Sequence, residues 1–153
     1  MTARCWHDSH KTPLLALHGW LDNAATFDLL APLLSDFYIV ALDFAGHGWS
    51  EHRAAGTRYH ILDHVDDVLS IVNQLGWQRF TLMGHSMGAG VASLLSSALP
   101  ERVEKLVMIE GLGPYTGKPE DAAKHLRTAL LEWQEFSDKP RVIATMEIAI
   151  QAR

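Results

Sequence analysis

Gly84-His85-Ser86-Met87-Gly88 sets one hydroxyl between two glycines. It follows the apolar run Phe80 to Met83 and precedes the small-residue stretch Ala89 to Ala92. Strand, tight turn and helix with a serine at the apex is the setting of a nucleophile elbow. A serine there holds strained backbone angles, and the positions two before and two after it crowd one another. Glycine at both removes the Cβ atoms that would clash. The hydroxyl then projects above the sheet, and the Met87 N–H opens a helix where it can meet developing negative charge. Such an arrangement suits covalent attack on a carbonyl carbon. A bare G-x-S-x-G also occurs by chance, and a glycine-rich turn can simply pack helix on sheet, so the flanking pattern carries the reading. Other glycine-rich sites do not fit. No Gly-Lys-Ser/Thr follows, and Gly88-Ala89-Gly90-Val91-Ala92-Ser93 lacks the third glycine of a dinucleotide turn.

Four apolar strands are needed to hold this turn, and the chain supplies them. Leu14 to Leu17 is a continuous apolar run of the kind buried on both faces of a sheet, and it ends in His18-Gly19-Trp20-Leu21-Asp22-Asn23. Phe37 to Leu42 runs into Asp43-Phe44-Ala45-Gly46-His47-Gly48-Trp49-Ser50, and Lys105 to Ile109 ends at Glu110. Thr2 to Trp6 offers a weaker edge strand. Between these, Phe27, Leu30, Ala31, Leu33 and Leu34 recur at helical spacing with Thr26 as a cap, and Ile61, Val65, Val68, Val72 and Leu75 mark one face of a second helix that Gly76 stops. Val91 to Ala98 continues the helix after the elbow. Lys118 to Phe136 and Arg141 to Ala152 read as helices with no strand between them.

Alternation of strand and helix predicts an α/β fold, a parallel sheet with helices on both faces. Sites in such sheets form in the loops beyond the strands' carboxyl ends. The His18 loop, the Asp43 to Ser50 loop, the Ser86 turn and Glu110 all fall on that edge.

Composition narrows the function classes. With 48% hydrophobic and 20% charged residues the 153-residue chain is an ordinary globular protein, and a net charge of −5 without a basic cluster argues against nucleic-acid binding. Cys5 is the single cysteine, so no internal disulfide framework forms, and a reducing, cytoplasmic setting is expected. No apolar run reaches membrane-spanning length. Nine histidines invite a metal reading, but no pair combines ligand spacing with carboxylate partners. No metal or cofactor is therefore expected. His85 should point away from the serine's side and pack or bond locally; His7, His10, His52, His60, His64 and His125 read as surface or helix-face residues. Trp20 and Trp49 either line a substrate pocket or cap the sheet edge by packing.

The three loops His18 to Asn23, Asp43 to Ser50 and Gly84 to Gly88 together resemble the α/β-hydrolase superfamily, specifically its serine hydrolase-like proteins. The resemblance covers about residues 2–114. It divides the chain into 1–114, the N-terminal part of the hydrolase core, and 115–153, the start of a helical cap. It implies Ser86 as nucleophile, the backbone N–H groups of Trp20 and Met87 as the oxyanion hole, and His18 and His47 as structural. Glu110 matches an acid position that some members use; otherwise it is a polar residue closing a strand. The implied substrate is a small ester or related acyl compound. In this fold the base histidine follows the acid, and only His125 follows Ser86 here, within the helical tail. The expectation is therefore the N-terminal portion of a longer hydrolase, poorly active alone, that needs a C-terminal half or associates through an open sheet edge. The alternative is a non-catalytic binding protein or a remnant on the same fold.

Overall fold

The structure, a computed structural model, describes residues 1–114 and 116–138. The chain divides into two compact units, Met1–Tyr115 and Thr116–Arg153. The first holds five strands: β1 (Thr2–Trp6), β2 (Thr12–Leu17), β3 (Phe37–Asp43), β4 (Phe80–His85) and β5 (Val103–Ile109). Their order in the sheet is β1-β3-β2-β4-β5; β1 is antiparallel to β3, and the other four strands run parallel. Two helices connect them, α1 (Ile61–Gln74) between β3 and β4 and α2 (Met87–Ala98) between β4 and β5.

The central strands alternate their side chains between two cores. Leu15, Leu17, Val40, Leu42 and Leu82 face Val68 and Val72 of α1 and Val91 and Leu95 of α2. Leu14, Ala16, Ile39, Ala41 and Met83 face Ala24, Phe27 and Ala31 on the opposite side. Removing each large apolar side chain from water contributes roughly 1.5–3 kcal/mol, which explains why β2 and β3 read as unbroken apolar runs.

That second face departs from the helix expected over Phe27 to Leu34. Two 3-10 turns, Ala24–Phe27 and Ala31–Leu33, stand there instead. The Asn23 side chain takes the Ala25 N–H, so Asn23, not Thr26, is the cap. Pro32 has no N–H to donate and blocks a continuous helix, while Leu29 and Leu33 are left exposed. α1 follows its expected face, and Gly76, at φ +71, supplies the left-handed residue after it.

Connections set the site. The chain leaves β2 over the face of the 3-10 turns to reach β3, whereas it leaves β4 through α2 on the other face to reach β5. Neighbouring strands β2 and β4 thus send their following segments to opposite sides, the topological switch point at whose carboxyl ends sites of open α/β sheets form.

In the second unit, a 3-10 turn (Pro119–Asp121) leads into α3 (Ala122–Asp138), with Leu126, Leu130 and Leu131 exposed. The expected helix over 141–152 lies outside the described residues. Among the described residues no helix is long and apolar enough to cross a membrane.

Candidate active site

Ser86 caps the N-terminus of α2 at φ 50° and ψ −113°, a backbone region that non-glycine residues rarely occupy. Its surroundings over-determine that strain. The Ser86 N–H donates to the Ile109 carbonyl at 2.9 Å, and its own carbonyl accepts from Ala89 and Gly90 at 3.0 and 3.2 Å. A Cβ on Gly84 would strike the Gly88 carbonyl, and one on Gly88 would strike the carbonyls of Leu17 and His18. Both glycines are therefore required by close backbone approach. The Ser86 side chain is exposed, beyond the carboxyl end of β4.

Loops from the neighbouring strands close on this turn. A Cβ on Gly19 would lie 3.3 Å from Ser86 Cβ and 3.1 Å from His85 Nδ1, so the His18 loop rests against the elbow. One on Gly111 would lie 3.1 Å from the Ser86 carbonyl. Glu110, beside it, is exposed at φ 54°. Met87 opens the first turn of α2, where N–H groups lack helical acceptors. His85 packs its ring on Gly19, and its Nδ1 is buried with no hydrogen-bond partner.

The two tryptophans are placed differently. Trp20, 60% exposed, stacks edge-on against His47 at 5.4 Å, next to the Ser86 turn through Gly19. Trp49, 87% exposed, lines a cavity of about 290 Å³ with Arg4, Asn23, Ala25, Asp43 and Gly48; Ser86 is not among its walls.

Beneath the loops lies a buried polar layer whose organisation the sequence did not disclose. Asp43, at the end of β3, accepts from the Ala24 N–H (2.7 Å), the Trp49 N–H (2.9 Å) and the Thr2 hydroxyl (2.9 Å). Burial opposes its charge, but the bonds from Trp49, Ala24 and Thr2 outweigh it and hold the carboxyl below the usual aspartate range. A Cβ on Gly48 would strike this carboxylate. The signal was an aspartate ending a strand five residues before a glycine that must come close.

Of the two alternatives for His64, surface or helix face, the structure gives the helix face, turned inward. It is 2% exposed on the inward side of α1, 4.7 Å from the Phe44 ring and 6.3 Å from Tyr59. Burial, with His47 and Arg53 nearby, pushes its ring down to about 4. Arg53 pairs instead with Asp67, whose carboxyl burial raises against the attraction of Arg53. His18 and His47 complete the layer, their rings 5.2 Å apart. Among the described residues no three His, Cys, Asp or Glu side chains are grouped to hold a metal ion.

A strained serine on a strand-turn-helix corner, at the carboxyl edge of a mostly parallel sheet, is the arrangement expected of an α/β-hydrolase fold. The family described as "alpha/beta hydrolase fold" matches residues 12–141, and the chain belongs to it. Within that family it groups with the serine hydrolase-like proteins. It is 41% identical over 139 residues to the serine hydrolase-like protein of Danio rerio, covering 90% of this chain and 43% of that one, and 43% identical over 111 residues to the human serine hydrolase-like protein, covering 72% and 55%. Among solved structures, a hypothetical protein of Pseudomonas aeruginosa PAO1 is 51% identical at a TM-score of 0.88, covering 99% of this chain and 54% of that one. The thioesterase domain from the curacin biosynthetic pathway is 27% identical at a TM-score of 0.74, covering 86% and 47%. The chain spans about half the length of these relatives.

Proposed function

We propose that this chain carries the nucleophile half of a serine hydrolase acting on a small ester or related acyl substrate. One observation carries the reading: Ser86 is held at φ 50° between two glycines that admit no Cβ. Such strain persists only where surrounding contacts enforce it, and it clusters at functional sites. The Ser86 hydroxyl oxygen would add to the acyl carbon and expel the alcohol or thiol, and water would then cleave the acyl-enzyme. The N–H groups of Met87 and Trp20 would hold the oxyanion, and removal of one such donor costs about 100- to 1,000-fold in rate. Glu110, at the end of β5 beside Gly111, is the acid in this reading. The likeness to a thioesterase domain and to a marine microorganism esterase favours acyl chemistry over other reactions of the fold.

The base is the open position. His125 alone follows Ser86, on α3 of the second unit, and without a base the serine is a weak nucleophile at neutral pH. Because the relatives are about twice as long, we assign the base to residues beyond these 153. The second unit would then begin a helical cap. The outer edge of β5 would receive further chain or a second copy.

Hydrolysis of a short-chain p-nitrophenyl ester tests the reading. Release of nitrophenolate by the chain extended past Arg153, lost in Ser86→Ala, is expected. Equal rates in the two would leave the second reading, a non-catalytic hydrolase-fold binding protein.

A further inference from the structure

His18 is fully buried, yet both of its ring nitrogens are spent on main chain rather than on substrate or solvent. Its Nε2 receives the Phe44 N–H at 3.1 Å. A backbone N–H only donates, so Nε2 must be the bare nitrogen, and a neutral ring then carries its proton on Nδ1. That Nδ1 lies 2.7 Å from the Gly19 carbonyl oxygen and donates to it. The Asp22 N–H reaches the same oxygen at 3.4 Å. Gly19 C=O and Trp20 N–H belong to one peptide group, which is trans like the others among the described residues, so they point in opposite directions. Holding the carbonyl toward the His18 ring turns the Trp20 N–H away from it. The α-carbon of the same glycine borders the Ser86 side chain.

We propose that His18 is a positioning residue: its Nδ1–H tautomer clamps the Gly19 carbonyl and thereby aims the Trp20 N–H at the acyl oxygen of a substrate on Ser86. The inference rests on Ser86 as nucleophile and adds a cause for the geometry of the second oxyanion donor. Phe44 packs edge-on against the ring at 4.9 Å and, with its N–H, fixes the ring plane. A leucine could fill this volume but could not hold the carbonyl. Burial lowers the ring's proton affinity, the Gly19 bond raises it and His47 lowers it again; the net direction is down, so the neutral clamp persists at neutral pH.

Two readouts test the clamp, the first on the chain itself and the second on the chain extended past Arg153. A long-range 1H–15N spectrum of the His18 ring should show the proton on Nδ1 and a bare Nε2; a proton on Nε2 would overturn the proposal without touching Ser86. Fluorophosphonate labelling of Ser86 supplies the second. His18→Asn places an amide donor where Nδ1 stood and should label within about threefold of wild type, whereas His18→Leu should label about 100-fold more slowly, the loss of one oxyanion donor. Equal labelling by the Leu and Asn variants, both folded by circular dichroism, refutes the clamp. If the Leu variant does not fold, an Asn variant slowed as much as 100-fold refutes it instead. Wild-type protein that never labels would count against Ser86 as nucleophile, and the ring spectrum would still decide the tautomer.

Discussion

Gly88 of α2 sits directly against the Leu17 carbonyl of β2, with no room for a Cβ between them. The first turn of the helix behind Ser86 is thereby seated on the strand that leads into the His18 loop. Gly88→Ala should destabilise the fold by about 1–3 kcal/mol, since the contact is with rigid backbone. Gly56 is the control: at φ +82 with nothing within 4 Å, its alanine variant should lose only the roughly 1–2 kcal/mol of left-handed strain. Urea unfolding of both variants compares the two costs, with the larger expected at Gly88.

Asp43→Asn tests the hub beneath the loops. The carboxylate serves Ala24, Trp49 and Thr2 at once, and an amide with one acceptor oxygen leaves a donor unpaired at about 1–3 kcal/mol. Because the folded pKa lies below the ordinary 3.8, the carboxylate's contribution is complete above that value and is lost as pH falls through the folded one. Acid unfolding should therefore begin at higher pH in Thr2→Val, which removes the side-chain donor to this carboxylate.

His64 gives a second pH dependence of opposite chemistry and the same sign. Its ring takes up a proton near pH 6.5 when unfolded but only near about 4 when folded. The unfolded state binds more protons between those values, so stability is full above 6.5 and declines as pH falls toward 4, by at most about 3 kcal/mol. In His64→Leu, unfolding free energy measured across that window should flatten.

These two buried residues also mark where the sequence stopped being legible. The apolar runs of β2 to β5, the 3.6-residue face of α1 and the Gly84–Gly88 corner are local patterns, and local patterns can be read from one chain. His64 reads from the sequence as a surface or helix-face residue; on the helix face it occupies, it packs against Phe44, 20 residues away in sequence, and against Tyr59 just before α1. Asp43 and His18 were recognised only as loop residues, since their roles lie in bonds to main chain 19 and 26 residues away. The segment after Asn23 carried helical spacing, and Pro32 together with the Asn23 cap broke it into 3-10 turns. Spacing records which face is apolar, and it does not record where a carbonyl loses its donor.

The β5 edge yields a prediction about association. It is an outer strand of the sheet among the described residues, and Val107 on it is 42% exposed. An apolar edge with unpaired main-chain groups templates further pairing. Sedimentation velocity of the chain should show mass rising with concentration, and Val107→Lys should shift it toward monomer. A concentration-independent monomer would remove self-association from the proposal.

The central claim is that Ser86 is a nucleophile, and covalent mapping tests it most directly. The chain extended past Arg153 is incubated with a fluorophosphonate, and its peptides are mapped by mass spectrometry. The account predicts a single phosphonyl adduct on Ser86, absent from Ser86→Ala. Unmodified Ser86, or an adduct that survives in Ser86→Ala, would contradict it.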